Sequence, residues 1–305
     1  MLKMGIFSKW VESLDYQYEI LSSCSRHKSP RSTCAKCVDA CDLDAISLKK
    51  GLPVINQGKC NECGKCIADC PVQAVAGIFP KRDIVQNHLV VEEEMIPSVK
   101  ELLVYAKKGI QGIYSEISLS EEWNETIVRA NEALNELNMP SLEIKYKKVK
   151  QIEESYTRRA LFFAWKNETQ SLMKELAPAK WRFNQKDLEL SKYYPDHQFA
   201  EIHLDIEKCT LCQACQKLCD KNCLNITEEG FTISTQACSA CSLCEDICPE
   251  KAITVSEKIA SYQEKQYSYF EKECKTCGKT FHALSNSIED CVPCVKKSKF
   301  LMANG

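Results

Sequence analysis

Cys60-Asn61-Glu62-Cys63-Gly64-Lys65-Cys66-Ile67-Ala68-Asp69-Cys70-Pro71 is the stretch on which the reading of this chain turns. It recurs as Cys238-Ser239-Ala240-Cys241-Ser242-Leu243-Cys244-Glu245-Asp246-Ile247-Cys248-Pro249. Each run spaces its thiols as Cys-x2-Cys-x2-Cys-x3-Cys and closes on proline. At this spacing three near cysteines wrap one [4Fe–4S] cluster, and the fourth commonly ligates a neighbouring cluster. Iron in such a cluster prefers soft thiolate to carboxylate or imidazole, which is why the run is built from cysteine.

Two further cysteine sets precede these runs. Cys209-x2-Cys212-x2-Cys215-x3-Cys219 is unbroken. Cys34-x2-Cys37-x3-Cys41 lacks its first member, because Arg31 stands at the position the spacing requires. Cys24, upstream across a Ser/Pro/Arg-rich loop, reads as the displaced first ligand, and His27 as a surface histidine. Cys41 and Cys60 are 19 positions apart, and so are Cys219 and Cys238. The intervening segments match too. Ala45 to Leu48, Gly51 and Pro53 to Ile55 parallel Cys223 to Ile226, Gly230 and Phe231 to Ile233. Each predicts a β-hairpin, with apolar residues alternating around a glycine turn. An internal repeat of this length makes residues 20–80 and 201–256 one domain used twice.

Both segments resemble bacterial-type two-cluster ferredoxins, a family with a small (βαβ)2 fold. The resemblance implies crossed ligation and four [4Fe–4S] clusters. Cys24, Cys34, Cys37 and Cys70 would hold the first, and Cys60, Cys63, Cys66 and Cys41 the second. Cys209, Cys212, Cys215 and Cys248 would hold the third, and Cys238, Cys241, Cys244 and Cys219 the fourth. Asp42 and Asp220 stand where proline often follows the fourth cysteine in that family. Four residues after each fourth cysteine come Ala45, Ala74, Cys223 and Ala252. A small buried residue suits that position, so Cys223 reads as core filler, with a ligand or redox thiol as the alternative.

Composition narrows the class. The chain has 305 residues, 27% charged and 44% hydrophobic, and a formal net charge of −2. This balance gives no reason to expect a nucleic-acid partner. No apolar run approaches the roughly 18 to 20 residues of a membrane span, and Met1 to Trp10 lacks the apolar core of a signal peptide. The 21 cysteines are spaced for metal clusters and not for a disulfide scaffold, which points to a reducing, cytoplasmic location.

The remaining segments are less specific. Ile6, Trp10, Val11, Leu14, Tyr18 and Leu21 follow a helical period and predict an amphipathic helix over 6–23. Residues 88–200 contain no cysteine and alternate strand and helix patterns, as in a small α/β unit. The expected elements there are a strand closing at Val90-Val91, a helix from Ile96 to Lys107 and a strand from Ile110 to Ile117. A helix capped by Ser120 and running to about Asn138, a strand from Leu142 to Val149 and a helix over 152–177 complete the list. Lys108-Gly109-Ile110-Gln111-Gly112 is no dinucleotide fingerprint, since its glycines do not sit at a strand-to-helix turn. In the tail, Cys274-x2-Cys277 and Cys291-x2-Cys294 are separated by 13 residues. Four thiolates in two pairs fit a structural zinc ribbon, with a single iron as the alternative. Tyr267 to Phe270 and Lys279 to Phe281 are the expected strands around its first knuckle, and His282 is not needed as a ligand.

The expected fold class is α+β: two ferredoxin-like (βαβ)2 modules flanking a small α/β domain, plus a C-terminal zinc ribbon. The expected domains are 1–87, 88–200, 201–260 and 261–305. The function this implies is an electron carrier with no catalytic residue and no small-molecule substrate, relaying single electrons for a larger oxidoreductase complex. An iron–sulfur regulatory or cluster-handling protein, and a redox enzyme in its own right, are the rival readings.

Overall fold

In a computed structural model of the chain, residues 18–77, 79–80, 82–93, 95–146 and 188–303 are described. The chain divides into two compact units. The first holds Ala35–Tyr193 and the residues up to His27, and the second holds Tyr194–Gly305 and the short segment Lys28–Cys34.

The first unit begins with β1 (Glu19–Ile20), followed by α1 (Ser25–Lys28), whose last residue is counted with the second unit, and α2 (Lys36–Asp39). A hairpin of β2 (Ile46–Lys49) and β3 (Leu52–Ile55) turns through Gly51 at φ 81°. Then come α3 (Lys65–Asp69) and β4 (Val75–Ala76), which returns to pair antiparallel with β1, Ile20 opposite Val75. Tyr18, Ile46, Ile67, Ala68, Ala74 and Val75 form the core together with Cys24, Cys66 and Cys70. The helix expected over 6–23 therefore does not extend through Glu19 and Ile20, which form a strand. The pairing of Ile20 with Val75 across the module outweighs the local helical period. Residues 6–17 lie outside the described residues.

The same unit continues into a four-stranded sheet of β5 (Ile84–Val85), β6 (His88–Val90), β7 (Gly112–Ser115) and β8 (Glu143–Tyr146), in that order. β6, β7 and β8 run parallel, and β5 is antiparallel. The crossovers are α4 (Val99–Lys107) and α5 (Glu121–Glu136). Ser98 and Ser120 cap them by accepting from the N–H groups of Glu101 and Trp123, the bonds that satisfy otherwise orphaned donors in a first turn. Leu102, Val104, Ile113, Trp123, Ala130 and Leu134 fill the space between helices and sheet. Gly112 is required where it stands, because a Cβ there would meet the Glu143 carbonyl oxygen at 2.2 Å. A short helix, α6 (Leu190–Tyr193), packs against α4. The part of the expected strand beyond Tyr146 and the helix expected over 152–177 lie outside the described residues.

The second unit repeats the small module with longer strands. β9 (His197–Leu204) leads to α7 (Ala214–Leu218), the hairpin β10 (Leu224–Ile226) and β11 (Phe231–Ser234), and α8 (Leu243–Ile247). β12 (Ile253–Ser261) pairs antiparallel with β9, as β4 pairs with β1. The chain then turns back as β13 (Glu264–Tyr267), which adds to the hairpin so that Tyr267 faces Phe231. β14 (Phe270–Glu273) and β15 (Thr280–Ala283) form a separate ribbon, and α9 (Val292–Ala303) ends the described chain. The boundary expected at 260/261 thus falls inside β12. The expected knuckle strand from Tyr267 to Phe270 is two elements, because Tyr267 is taken up by the module's sheet. Among the described residues no helix is long and apolar enough to cross a membrane.

One charged pair is buried in the first unit. Arg82 donates through Nε to Glu101 Oε1 at 3.0 Å and through Nη2 to Oε2 at 3.2 Å, with the two side chains 2% and 3% exposed. Arg82 also donates to the Met95 carbonyl. A buried pair adds little net stability, but removing one partner strands a charge, at roughly 3–5 kcal/mol. Arg82→Met is expected to lower the unfolding free energy of the α/β region by an amount in that range, while Arg82→Met with Glu101→Leu recovers most of the loss. Urea unfolding followed by far-ultraviolet circular dichroism checks both variants.

Candidate metal centres

The repeat is visible in backbone geometry as well as in sequence. In three of the four cysteine runs, the residue before the second cysteine and the residue after it have positive φ. They are Glu62 (59°) and Gly64 (80°), Leu211 (54°) and Gln213 (62°), and Ala240 (53°) and Ser242 (54°). Five of these six residues carry a Cβ, and the left-handed conformation costs such a residue about 1–2 kcal/mol. Strain of this kind persists where the surroundings over-determine it, typically at ligand clamps. Here it curls each loop around its own sulfurs, so that the Glu62 N–H donates to Cys60 Sγ at 3.4 Å. The run from Cys34 departs from this pattern: Ala35 has φ −128° and the chain enters α2 at once.

A second left-handed residue follows every fourth cysteine by three positions: Asp44 (48°), Gln73 (52°), Asn222 (52°) and Lys251 (51°). It turns the next N–H back onto the cysteine. Ala45 N–H donates to Cys41 Sγ at 3.3 Å, Ala74 N–H to Cys70 Sγ at 3.1 Å, and Ala252 N–H to Cys248 Sγ at 3.2 Å. The Cys223 N–H bonds Cys219 in the same way.

These turns bring cysteines from the two halves of each module together. Cys41 lines one cavity with Cys60, Cys63 and Cys66, closed on one side by Tyr18, Ile46 and Ile55. Burial pushes the Cys66 thiol upward, and Cys63, Cys60, Cys37 and Cys41 push the same way. In the second unit Cys248 lines a cavity with Cys209, Cys212 and Cys215, beside Ile226, Ala252 and Ile253. Burial raises Cys215 to about 12, with Cys209, Cys212 and Cys248 adding to it. Burial also raises Cys244, and Cys238, Cys241 and Cys219 are its nearest electrostatic neighbours. Thiols converging in apolar cavities cannot all ionise against one another. A cationic metal centre of matching softness removes that conflict, so the donor set fits an iron–sulfur cluster.

The remaining set is less complete. Cys24, Cys37 and Cys70 belong to the core of the first unit. Cys34 is counted with the second unit, where it is an electrostatic neighbour of Cys241. The segment holding it is fixed there by Thr33, whose N–H and Oγ1 reach the Asp246 carboxylate at 2.7 and 2.9 Å, and by a Lys28–Asp220 ion pair. In the first unit Asp42 pairs with Lys65 in turn. The two aspartates at the usual proline position are thus both ion-paired.

In the tail, Cys274, Cys277, Cys291 and Cys294 converge, their sulfurs all within 4.8 Å of one another. Cys274 is lowered to about 7, chiefly by the Cys291 N–H, which donates to its sulfur at 3.3 Å. Asp290 ties the first knuckle by accepting from the Thr276 N–H at 2.9 Å and from Cys274 Sγ at 3.4 Å. His282 stacks on Tyr269 with ring centroids 5.4 Å apart. The ribbon is joined to the second module where Ser285 and Ser287 donate to the Glu207 carboxylate.

Two residues near the sulfurs stand outside the expected ligand sets. Tyr18 donates to the Glu62 carbonyl at 3.0 Å, and burial raises its phenol. Its ring lies where a Cβ on Gly77 would come within 2.4 Å. The other is Cys223, expected as filler. It is buried, and its thiol also hydrogen-bonds Cys219 and Cys238. The bond from Cys223 is the main cause that lowers Cys219 to about 6.

Comparison with known proteins agrees with the donor set. Residues 52–75 match a 4Fe-4S binding domain family, so this segment is similar to ferredoxin-type iron–sulfur binding segments. The chain is 42% identical over 41 residues to the uncharacterized ferredoxin MJ0155 of Methanocaldococcus jannaschii, covering 13% of this chain and 27% of that protein. It is 36% identical over 70 residues to the ferredoxin-type protein NapF of Escherichia coli strain K12, covering 21% of this chain and 42% of that one. The chain thus spans less than half the length of these relatives. A chain of the formate dehydrogenase, heterodisulfide reductase and formylmethanofuran dehydrogenase complex from Methanospirillum hungatei aligns over 87% of this chain and 89% of its own. That alignment has 13% identity and a TM-score of 0.30, too low for a shared chain path.

Partners that orient metal ligands are worth about 10–100-fold in metal affinity. Asp290→Ala is expected to weaken metal retention in the tail by that factor while the cluster absorbance stays unchanged. Competition with a chromophoric chelator measures it.

Proposed function

We propose that the chain is an iron–sulfur electron carrier holding four [4Fe–4S] clusters in two crossed-ligation modules, with a structural zinc in the tail. The observation that carries this reading is the sharing of cavities across each module: Cys41 with Cys60, Cys63 and Cys66, and Cys248 with Cys209, Cys212 and Cys215. Cys219 completes the set of Cys238, Cys241 and Cys244 on electrostatic proximity. Cys24, Cys37 and Cys70, with Cys34 by sequence spacing, complete the fourth set. Cys274, Cys277, Cys291 and Cys294 are assigned to zinc on their two-pair spacing and convergence, with iron as the alternative occupant.

A bound [4Fe–4S] cluster supplies a site that takes up and gives back one electron. The chain's own residues hold it, orient N–H groups at the ligand sulfurs and pack Ile46, Ile55, Ile226 and Ile253 against the cavities. Burial of this kind limits water access and helps set the potential. The ferredoxin names of the relatives agree with a carrier role. On this reading the chain relays electrons between redox proteins of a larger oxidoreductase system, performs no bond chemistry itself, and resides in a reducing compartment where its thiols stay available to metal.

The test is elemental analysis of anaerobically purified protein. About 16 iron atoms and as many sulfides per chain are expected, together with one zinc and reversible bleaching by dithionite. Cys248→Ala is expected to remove about four of those irons, because it strips one ligand from one cluster. A colourless preparation, or metal confined to the tail, rules the proposal out. Ready transfer of the iron to an acceptor apoprotein would instead favour a cluster-handling protein.

A further inference from the structure

Among the described residues, three buried side-chain polar atoms have no hydrogen-bond partner: Ser25 Oγ, Ser239 Oγ and His88 Nε2. His88 lies on β6 of the parallel sheet. The two serines occupy the same place in the repeat, each directly following the first cysteine of its set, Cys24 or Cys238. Ser25 is 1% exposed. Ser239 is half-buried as a residue, but its hydroxyl is shut off from solvent. The corresponding residues of the other two sets are Asn61 and Thr210. Each of those lines the cavity that its own cysteines form, so this position belongs to the cavity wall. Asn61 uses its Oδ1 to accept from the Cys63 N–H at 3.3 Å. The serine hydroxyls have no such use. Burying an unpaired hydroxyl is costly, and folded proteins nearly always supply an acceptor. Here no protein acceptor, cysteine sulfur included, is in reach of either one.

We propose that the Ser25 and Ser239 hydroxyls donate hydrogen bonds to the sulfur of the clusters ligated through Cys24 and Cys238, raising the reduction potential of each. The inference rests on the function proposed above. Neither serine is a ligand, since four cysteines are assigned to each set. The acceptor that each hydroxyl lacks among the protein atoms is supplied by the bound cluster. Hydrogen bonds to cluster sulfur favour the more negatively charged state and so move the potential upward. An enclosed water could also satisfy a buried hydroxyl, but it would not tie the potential to the serine. The shared position also treats Cys24 as the first cysteine of its set, although it reaches that set across a loop. One such serine lies in each module, so each module has one cluster tuned in this way.

The test replaces each serine, in the full-length protein, by alanine, which removes the donor, and by threonine, which keeps it. Iron counting and redox-monitored electron paramagnetic resonance under anaerobic conditions are the readouts. Ser25→Ala and Ser239→Ala are each expected to keep the full iron content and to move one midpoint potential to more negative values, a different one in each variant. Ser25→Thr and Ser239→Thr are expected to stay nearer the parent values. Each serine is judged on its own pair of variants. Unchanged potentials in a fully loaded alanine variant, the result an enclosed water would give, overturn the inference. So does a threonine variant displaced as far as its alanine counterpart, or iron lost from both alike, because the hydroxyl would then be irrelevant. Iron lost from the alanine variant alone still assigns the role to the hydroxyl. A parent protein without four clusters removes the proposed function, and this inference with it, before any variant is read.

Discussion

Sulfur crowded against sulfur is the constraint from which the rest of this molecule follows. Each module collects cysteines from two distant loops into one apolar cavity, where burial and mutual repulsion oppose ionisation. Such a cavity is stable only with a metal centre in it or with its thiols protonated, and the backbone is shaped for the former. In three of the four runs residues are held at positive φ on either side of the second cysteine, five of the six carrying a Cβ, and a non-glycine residue is so held after every fourth cysteine. Without the sulfurs to reward them these turns are simply strained. The module's apolar core is small, consisting of Tyr18, Ile46, Ile67, Ala74 and Val75 in the first copy. Metal ligation in a fold of this size is therefore also folding free energy.

The cysteine spacings, the hairpins between them and the duplication of the whole plan could all be read from the chain, because each rests on short-range chemistry: a glycine turn, an alternating strand, a ligand interval. The helix from Val99 to Lys107 and the one opened by Ser120 were legible for the same reason, each with a serine at its cap. What could not be read depends on partners distant in sequence. Glu19 and Ile20 follow a helical period yet form a strand, because Val75 and Ala76 lie opposite. Tyr267 looked like part of the tail until Phe231 claimed it. The left-handed residues were equally hidden, since Leu211, Gln213 and Ala240 carry no mark of that conformation in their side chains.

Cysteine itself illustrates the difference between pattern and environment. Nineteen of the 21 cysteines fall into intervals that announce a ligand set, and Cys24 was assigned to one across a loop. Cys223 falls outside them, and its alignment with Ala45, Ala74 and Ala252 pointed to filler. Burial bears that out, but burial alone would suit alanine equally well. Only the three-dimensional placement shows that the added sulfur has Cys219, Cys238 and the Lys221 carbonyl around it. Cys34 shows the converse. Its interval to Cys37 and Cys41 assigns it to the first set, while its segment is anchored by Thr33 to Asp246 in the second unit.

The strand from Glu264 to Tyr267 has a practical bearing on how this protein is dissected. It closes the edge of the second hairpin, with Gln266 and Lys265 laddered against Thr232 and Ile233. Gly230 is so near it that a Cβ there would come within 2.4 Å of the Tyr267 carbonyl oxygen. A truncation at residue 260 would leave β12 cut short and bare a hydrophobic ladder to any other chain with an open edge. The tail beyond is thus a lid on a sticky seam as much as an appendage with its own set of converging cysteines, and a well-behaved fragment of the second module has to include it.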